Sequence, residues 1–339
     1  MSGRYSRQEL FPGIGRAGQE RIRASRVLVV GCGALGSTLA EMMVRAGVGG
    51  LTVVDRDYVE PSNLQRQSLF EEEDAARGLP KAAAAEARLR RLNSEVEVRG
   101  IVADVCPENV EEMVRGAQVV LDGTDNFETR FLLNDVCLRA GVPWVYGACV
   151  GAYGLALLIR PGHTPCLRCV LERMPDPGAG PTCDTAGVVA PIVHVIAGVQ
   201  AGEALKVLAG QTRAFLPGIV SVDLWAGTFE VTDLGGRPPW CPACTAGQYD
   251  YASGGSAGAS AVLCGREAVQ LRPFAKGTVD LPALAARLRG SGEVLANEYL
   301  VRFRGRDAEL VVFGDGRAIV KGVKDAAQAR TLYAKYVGS

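Results

Sequence analysis

The chain has 339 residues, 48% of them hydrophobic and 22% charged, with 37 basic side chains against 37 acidic ones. That length suggests about two domains, and the composition suits a globular chain with a large buried core. The charge balance leaves no global field to draw nucleic acid or anionic lipid, so neither a nucleic acid nor a membrane is an expected partner.

Met1 to Arg7 lacks the apolar core of a signal peptide, and no stretch offers the roughly 20 uninterrupted apolar residues of a membrane span. Ten cysteines in such a chain favour free thiols and metal ligands over a disulfide framework. The expected location is cytoplasmic.

In chain order, Arg16 to Ser25 reads as a short helix. Arg26 to Val30 is a continuous branched-aliphatic run, the pattern of a buried strand. It turns through Gly31, Cys32, Gly33, Ala34, Leu35 and Gly36 into a helix carrying Leu39, Met42, Met43 and Ala46, with Gly47 as its C-cap. Leu51 to Asp55 is the next strand. Pro80 marks the first turn of an alanine-rich helix that includes Lys81 and runs to about Leu92. Val96 to Ile101 and Val119 to Asp122 read as strands, with a helix between them from about Glu108 to Arg115. A helix from Phe127 to Ala140 and a strand at Trp144 follow. This alternation argues an α/β fold with a Rossmann-like doubly wound sheet.

Beyond Gly151 the rhythm changes. Leu155 to Ile159, Ile219 to Val222 and Thr228 to Val231 read as antiparallel strands, and Pro191 to Leu208 as a long amphipathic helix. The chain divides into a first domain, 1–248, a flexible Gly/Ser/Ala linker, 249–260, and a small α+β domain, 261–339. The last reads strand, helix, three strands, helix, with turns at Gly305 to Asp307 and Gly314 to Gly316. Its role is not assigned by the sequence.

Two cysteine pairs, Cys166 with Cys169 and Cys241 with Cys244, each lie beside a proline. Two C-x-x-C pairs supply the four thiolates of a structural zinc site that would staple distant segments. Two disulfides, or unrelated core cysteines, remain the other readings of the spacing. Gly31, Gly33 and Gly36 follow a strand, open a helix, and are followed by Asp55 at the next strand end. That pattern points to an adenine nucleotide: glycines admit phosphate, the helix N-terminus holds its charge, and the acid takes ribose hydroxyls. Alone it does not separate NAD from ATP. Arg66, Lys81 and Asp125 do, because triphosphate chemistry needs cations and a metal-holding carboxylate, whereas hydride transfer does not. Read blandly, Arg66 is a surface charge, Lys81 a solvated first-turn residue and Asp125 a helix cap. Of the two histidines, His163 and His194, the latter reads as a core residue. Cys32, Cys106, Cys137, Cys149 and Cys264 read as small buried fillers.

Taken together, Arg4 to Gln8, Gly31 to Gly36, Ser62 to Gln67, Lys81, Thr124 to Asn126, both cysteine pairs and Thr182 to Gly187 resemble the ThiF/MoeB/HesA family. These are relatives of ubiquitin-activating enzymes that adenylate the Gly-Gly tail of small sulfur-carrier proteins. The resemblance implies ATP with Mg²⁺, and a Zn²⁺ ion on the four cysteines. It implies that Asp55 binds ribose, that Asn63, Arg66 and Lys81 contact phosphates, and that Asp125 places the metal. Gly31, Gly33, Ala34, Gly36, Asp57, Ser62, Leu64, Gln65 and Asn126 complete the nucleotide-contacting positions. It further implies a homodimer in which Arg7 reaches the partner's nucleotide site. Cys183 is the candidate thiol that receives the activated carrier or relays sulfur, with a cysteine desulfurase or sulfurtransferase as an expected further partner. The expected substrate is a ThiS-like carrier of thiamine thiazole synthesis, with a MoaD-like molybdenum-cofactor carrier as the alternative. An NAD-dependent oxidoreductase and a non-catalytic carrier-binding scaffold are the rival classes.

Overall fold

A computed structural model describes residues 3–176, 180, 183–211, 213–253, 260–263, 268–271, 278–323 and 325–338. In its first half, β1 (Arg26–Val30), β2 (Gly50–Asp55), β3 (Glu97–Val102), β4 (Val119–Asp122) and β5 (Trp144–Val150) alternate with helices. These helices are α1 (Ser6–Leu10), α2 (Gly15–Arg23), α3 (Ala34–Ala46), α4 (Glu72–Ala76), α5 (Lys81–Leu92), α6 (Val110–Val114) and α7 (Phe127–Ala140). Then come β6 (Tyr153–Ile159), α8 (Leu167–Val170), α9 (Cys183–Ala186), α10 (Ala190–Leu208), β7 (Gly218–Asp223) and β8 (Thr228–Asp233). All eight strands form one sheet in the order β3-β2-β1-β4-β5-β6-β7-β8. Pairing is parallel from β3 to β5 and antiparallel from β5 to β8.

The chain runs outward from β1 in one direction and returns to β4 on the other side. The crevice between the C-terminal ends of β1 and β4 is therefore the switch point where open α/β sheets bind ligands. One face of the sheet is covered by α3, α5 and α10, the other by α6 and α7. Gly47, in the left-handed region at φ 80°, ends α3 as the sequence predicted.

α10 has the length and hydropathy to cross a membrane, which the sequence reading did not anticipate, but here it is a core helix. It buries Ile192, Val193, Ile196, Ala197 and Gln200 against the sheet. That leaves His194 on the opposite face and exposed, so the expectation of a core histidine is corrected. Cys32, Cys137 and Cys149 are buried as expected, whereas Cys106 is only half-buried.

The C-terminal module is richer in strands than the sequence suggested. It comprises β9 (Ser260–Leu263), β10 (Ala268–Leu271), α11 (Leu281–Leu288), β11 (Glu293–Ala296), β12 (Leu300–Arg304), β13 (Glu309–Phe313), β14 (Ala318–Lys321) and α12 (Ala326–Tyr336). Its sheet runs β11-β12-β13-β14-β10-β9. One face packs under α11 and α12, burying Val301, Phe303, Leu310, Val312 and Val320. The other presents Leu300, Val311, Phe313 and Ile319 to Tyr58 of the first half. Half of the expected linker, 254–259, and Cys264 lie outside the described residues.

Candidate functional site

Two glycines let the backbone close at the switch point. Gly31 stands at φ 84°, and a Cβ there would lie 2.7 Å from the Gly123 carbonyl. A Cβ on Gly36 would lie 1.8 Å from the Gly31 carbonyl oxygen, so only glycine fits. Gly33, with no Cβ, is the N-cap residue of α3 and provides no side-chain cap. The first N–H groups of α3 thus have no side-chain cap, at the positive end of the helix dipole where an anion is favoured. Ala34 opens that helix.

Asp55 closes β2 and is buried. Its carboxylate accepts the N–H of Cys32 at 2.5 Å and that of Asp57 at 2.6 Å, tying the glycine loop to the β2 end. Burial pushes its carboxyl above the ordinary range, against the pull of Lys81. Lys81 is the first residue of α5 and only 3% exposed, so it is not a solvated first-turn residue. Its N–H donates to the Asp57 carbonyl at 2.9 Å, and its Nζ lies 3.5 Å from Asp57 Oδ2.

The segment between them carries the other predicted contacts. Asn63 is buried, and its Oδ1 accepts the Glu60 N–H at 3.0 Å. Ser62 and Gln65 are exposed, and Leu64 packs against the core. Arg66 is half-buried, and its Nη1 donates to the Ser62 carbonyl at 2.9 Å. Asp125 is exposed after β4. It does not cap α7; Asn126 does, accepting the Thr129 N–H at 2.8 Å.

Three residues escaped the sequence reading. Arg56 Nη1 donates to Asp104 Oδ1 at 3.2 Å. Burial works against its charge, but Asp104, Asp57, Asp125 and Asp55 together hold the guanidinium pKa above its ordinary value. Arg130, buried, pairs with Asp122 at 3.3 Å and donates to the carbonyls of Thr124 and Gly147 at 2.7 and 3.1 Å. That fixes the 123–126 loop. Gln67, 3% exposed, brings its amide toward Gly33, and its buried Oε1 has no hydrogen-bond partner among the described residues. The charge pattern Asp55-Arg56-Asp57 signalled Arg56. Nothing local signalled the others, because Arg130 meets Asp122 and Gly147, and Gln67 meets Gly33, only once the sheet and the glycine loop are assembled.

The structure does not bring Arg7 to this crevice. Tyr5 packs on Gly47 and Gln8 donates to the Ala46 carbonyl, so α1 sits at the C-terminal end of α3. At 1.5 Å per residue, α3 separates it from the glycine loop by about 20 Å. Cys183 opens α9, but its side chain lies outside what the structure describes, as do Pro181 and Thr182.

The two cysteine pairs do meet. All four sulfurs lie within 4.8 Å of one another, with Cys166–Cys241, Cys166–Cys169 and Cys169–Cys244 at 3.7, 3.8 and 3.5 Å. Disulfides at about 2 Å are thereby excluded. A tetrahedron with bonds of about 2.3 Å has edges of about 3.8 Å, so the set fits a Zn²⁺ thiolate shell. The Cys169 thiol pulls Cys166 down to about 5, while burial pushes Cys244 up to about 11. Four such sulfurs do not all ionise without a cation among them. Cys166 and Cys241 are fully buried, and the cluster joins α8 to the segment after β8.

A family model described as the ThiF family matches residues 5–243. A sulfur carrier protein ThiS adenylyltransferase from Bacillus subtilis (strain 168) is 48% identical over 340 residues, 100% of this chain and 100% of its own. A sulfur carrier protein adenylyltransferase from Thermus thermophilus is 40% identical over 246 residues, 71% of this chain and 90% of its own. Among solved structures, E. coli MccB with ATP matches at a TM-score of 0.62 and 23% identity, over 72% of this chain and 75% of its own. That likeness speaks for the fold.

Proposed function

The chain belongs to the ThiF family, and on that premise we propose that it adenylates the C-terminal Gly-Gly carboxylate of a ThiS-like sulfur carrier with ATP, releasing pyrophosphate. The observation that carries the chemistry is the buried Lys81–Asp57 pair beside the uncapped N-terminus of α3. A fixed cation and a row of free N–H groups there suit a triphosphate better than a hydride-transfer surface. The choice of carrier rests on the Bacillus relative, whose likeness extends through the C-terminal module, whereas the Thermus relative matches 71% of the chain.

In this reading a terminal carboxylate oxygen attacks the α-phosphorus, and the bond from that phosphorus to the bridging oxygen breaks. Pyrophosphate leaves with the electron pair. No general base is needed, since the nucleophile is already ionised. The protein aligns the reactants and screens charge. Asp55 holds the ribose, Lys81, Arg66 and Asn63 the phosphates, with Gly31, Gly33, Ala34, Gly36, Asp57, Ser62, Leu64, Gln65 and Asn126 around them. Asp125, an exposed carboxylate with hard oxygen donors, would hold Mg²⁺, which supplies Lewis-acid screening of the phosphates. Zn²⁺ on Cys166, Cys169, Cys241 and Cys244 is structural, because four thiolates leave no open position.

The active form is a homodimer. Arg7 lies far from its own crevice, so it serves a nucleotide only across an interface. Cys183 acts after adenylation, receiving the carrier or sulfur that a desulfurase or sulfurtransferase delivers. The reaction belongs to the cytoplasm, where thiols stay reduced for zinc. ATP–pyrophosphate exchange with ThiS-like and MoaD-like carriers presented separately tests the reading. Exchange that depends on the ThiS-like carrier supports it; nicotinamide binding with no exchange refutes it.

A further inference from the structure

The segment from Arg56 to Pro80 carries Asp57, Asn63 and Arg66, and ends at Lys81. Its two ends are zipped together: the Val59 N–H donates to the Leu79 carbonyl at 2.8 Å and Tyr58 bridges Pro80. The C-terminal module grips both ends. At the first, Gln270 Nε2 donates to Asp104 Oδ2 at 2.9 Å, while the other oxygen of that carboxylate takes Arg56. Arg317 Nη1 donates to the Arg56 carbonyl at 3.3 Å, and Lys321 Nζ pairs with Glu60 at 2.5 Å. At the second, Asn297 Nδ2 donates to the carbonyls of Arg77 and Gly78 at 3.0 and 3.3 Å. Tyr58, 3% exposed, seals the seam against Leu300, Val311, Phe313 and Ile319.

These contacts differ from what a tethered accessory domain needs. Gln270 is 1% exposed and Arg317 5%, so both polar groups are buried at the seam. Burying them is unfavourable unless their partners are fixed. The partners are the backbone and carboxylates that orient Arg56, which itself faces Asp55, Asp57 and Asp125.

We propose that the C-terminal module is a positioning element of the nucleotide site. It clamps the 56–80 segment at both ends, and Gln270, through Asp104 and Arg56, sets the affinity for ATP. This rests on the adenylation reading above, and it gives the module a role that the first domain alone does not fill.

The test uses the full chain. Gln270→Leu removes the donor to Asp104, and Lys321→Met, at a side chain 27% exposed, removes the cation that Glu60 shares with Glu309. Lys335→Ala, whose partner Asp307 lies in the same module, is the control. Loss of one hydrogen bond to a charged group corresponds to about tenfold in binding. The expected result for the two seam variants is a KM for ATP raised about tenfold in pyrophosphate exchange, with the KM for the carrier unmoved. A general loss of folded enzyme would not give that split. Hydrogen exchange should quicken at the amides of residues 56–60, and the ATP dissociation constant should rise in equilibrium dialysis. Wild-type KM for ATP and wild-type amide protection in both variants would overturn the proposal. If the wild type shows no pyrophosphate exchange, the adenylation reading fails. Amide protection and ATP dialysis then decide the positioning role by themselves, in its favour if both change and against it if neither does.

Discussion

Replacing Lys81 with methionine keeps most of the buried stem and removes the charge. Nζ lies 3.5 Å from Asp57 Oδ2, with side-chain exposures of 4% and 18%. Asp55, buried next to them, also depends on that cation. Two carboxylates would lose their nearest fixed positive charge at a site screened little by solvent. Breaking a buried pair on one side costs about 3 kcal/mol, which for a chain of this size lowers Tm by roughly 4 °C. Separately, a cation placed where charge redistributes in the transition state is worth about 3 kcal/mol, or around a hundredfold in rate. The two losses separate experimentally. Thermal melting reads the first, and pyrophosphate exchange measured well below the variant's Tm reads the second. A folded Lys81→Met enzyme that exchanges within about threefold of wild type would show that Lys81 is a structural ion pair and that the phosphates lie elsewhere.

Other outcomes follow from the same geometry. One zinc per chain is expected by elemental analysis under reducing conditions. Any single Cys→Ser change at Cys166, Cys169, Cys241 or Cys244 should lose the metal and much of the thermal stability, and zinc-free wild type would contradict the site. Cys183→Ala should keep pyrophosphate exchange while losing any covalent enzyme–carrier species, because a thiol is needed only after adenylation; thiocarboxylate formed at the wild-type rate would make the residue a spectator. Burial raises Asp135 from 3.8 to about 6. The folded protein then binds this proton more tightly than the unfolded chain, so stability is fully kept below about pH 4 and falls by about 3 kcal/mol as pH rises to above 6. Asp135→Asn should therefore gain on wild type in denaturant melts between pH 4 and 7, and a constant difference across that range would refute the assignment.

Much of the crevice at the switch point was legible because its signals are local. A branched-aliphatic strand, three glycines and an acid at the next strand end each constrain a few neighbouring residues, and steric closure at Gly31 and Gly36 is the physical reason. The cysteine pairs were legible for the same reason, although the structure was needed to exclude disulfides. What escaped depends on distant partners. Arg56 was not singled out in the sequence, because its partner Asp104, just beyond β3, and Gln270 of β10, which holds that carboxylate, are far from it along the chain. The grip of the C-terminal module was missed because the linker composition implied independence. Yet Leu310 to Phe313 form a continuous apolar run, the pattern of a strand buried on both faces, a signal of the second covered face that the sequence reading did not use. His194 was misplaced because it was assigned to the buried face of a helix read as amphipathic, whereas α10 buries its neighbours Ile192 and Val193 and turns His194 to solvent.

The most direct measurement is the intact mass of a purified ThiS-like carrier after incubation with this protein, ATP and Mg²⁺, followed by fragmentation to locate the modification. The account predicts an AMP adduct on the C-terminal glycine carboxylate, formed with pyrophosphate release and absent when the Gly-Gly tail is removed. An unmodified carrier in the presence of folded, zinc-loaded, ATP-binding protein would contradict it.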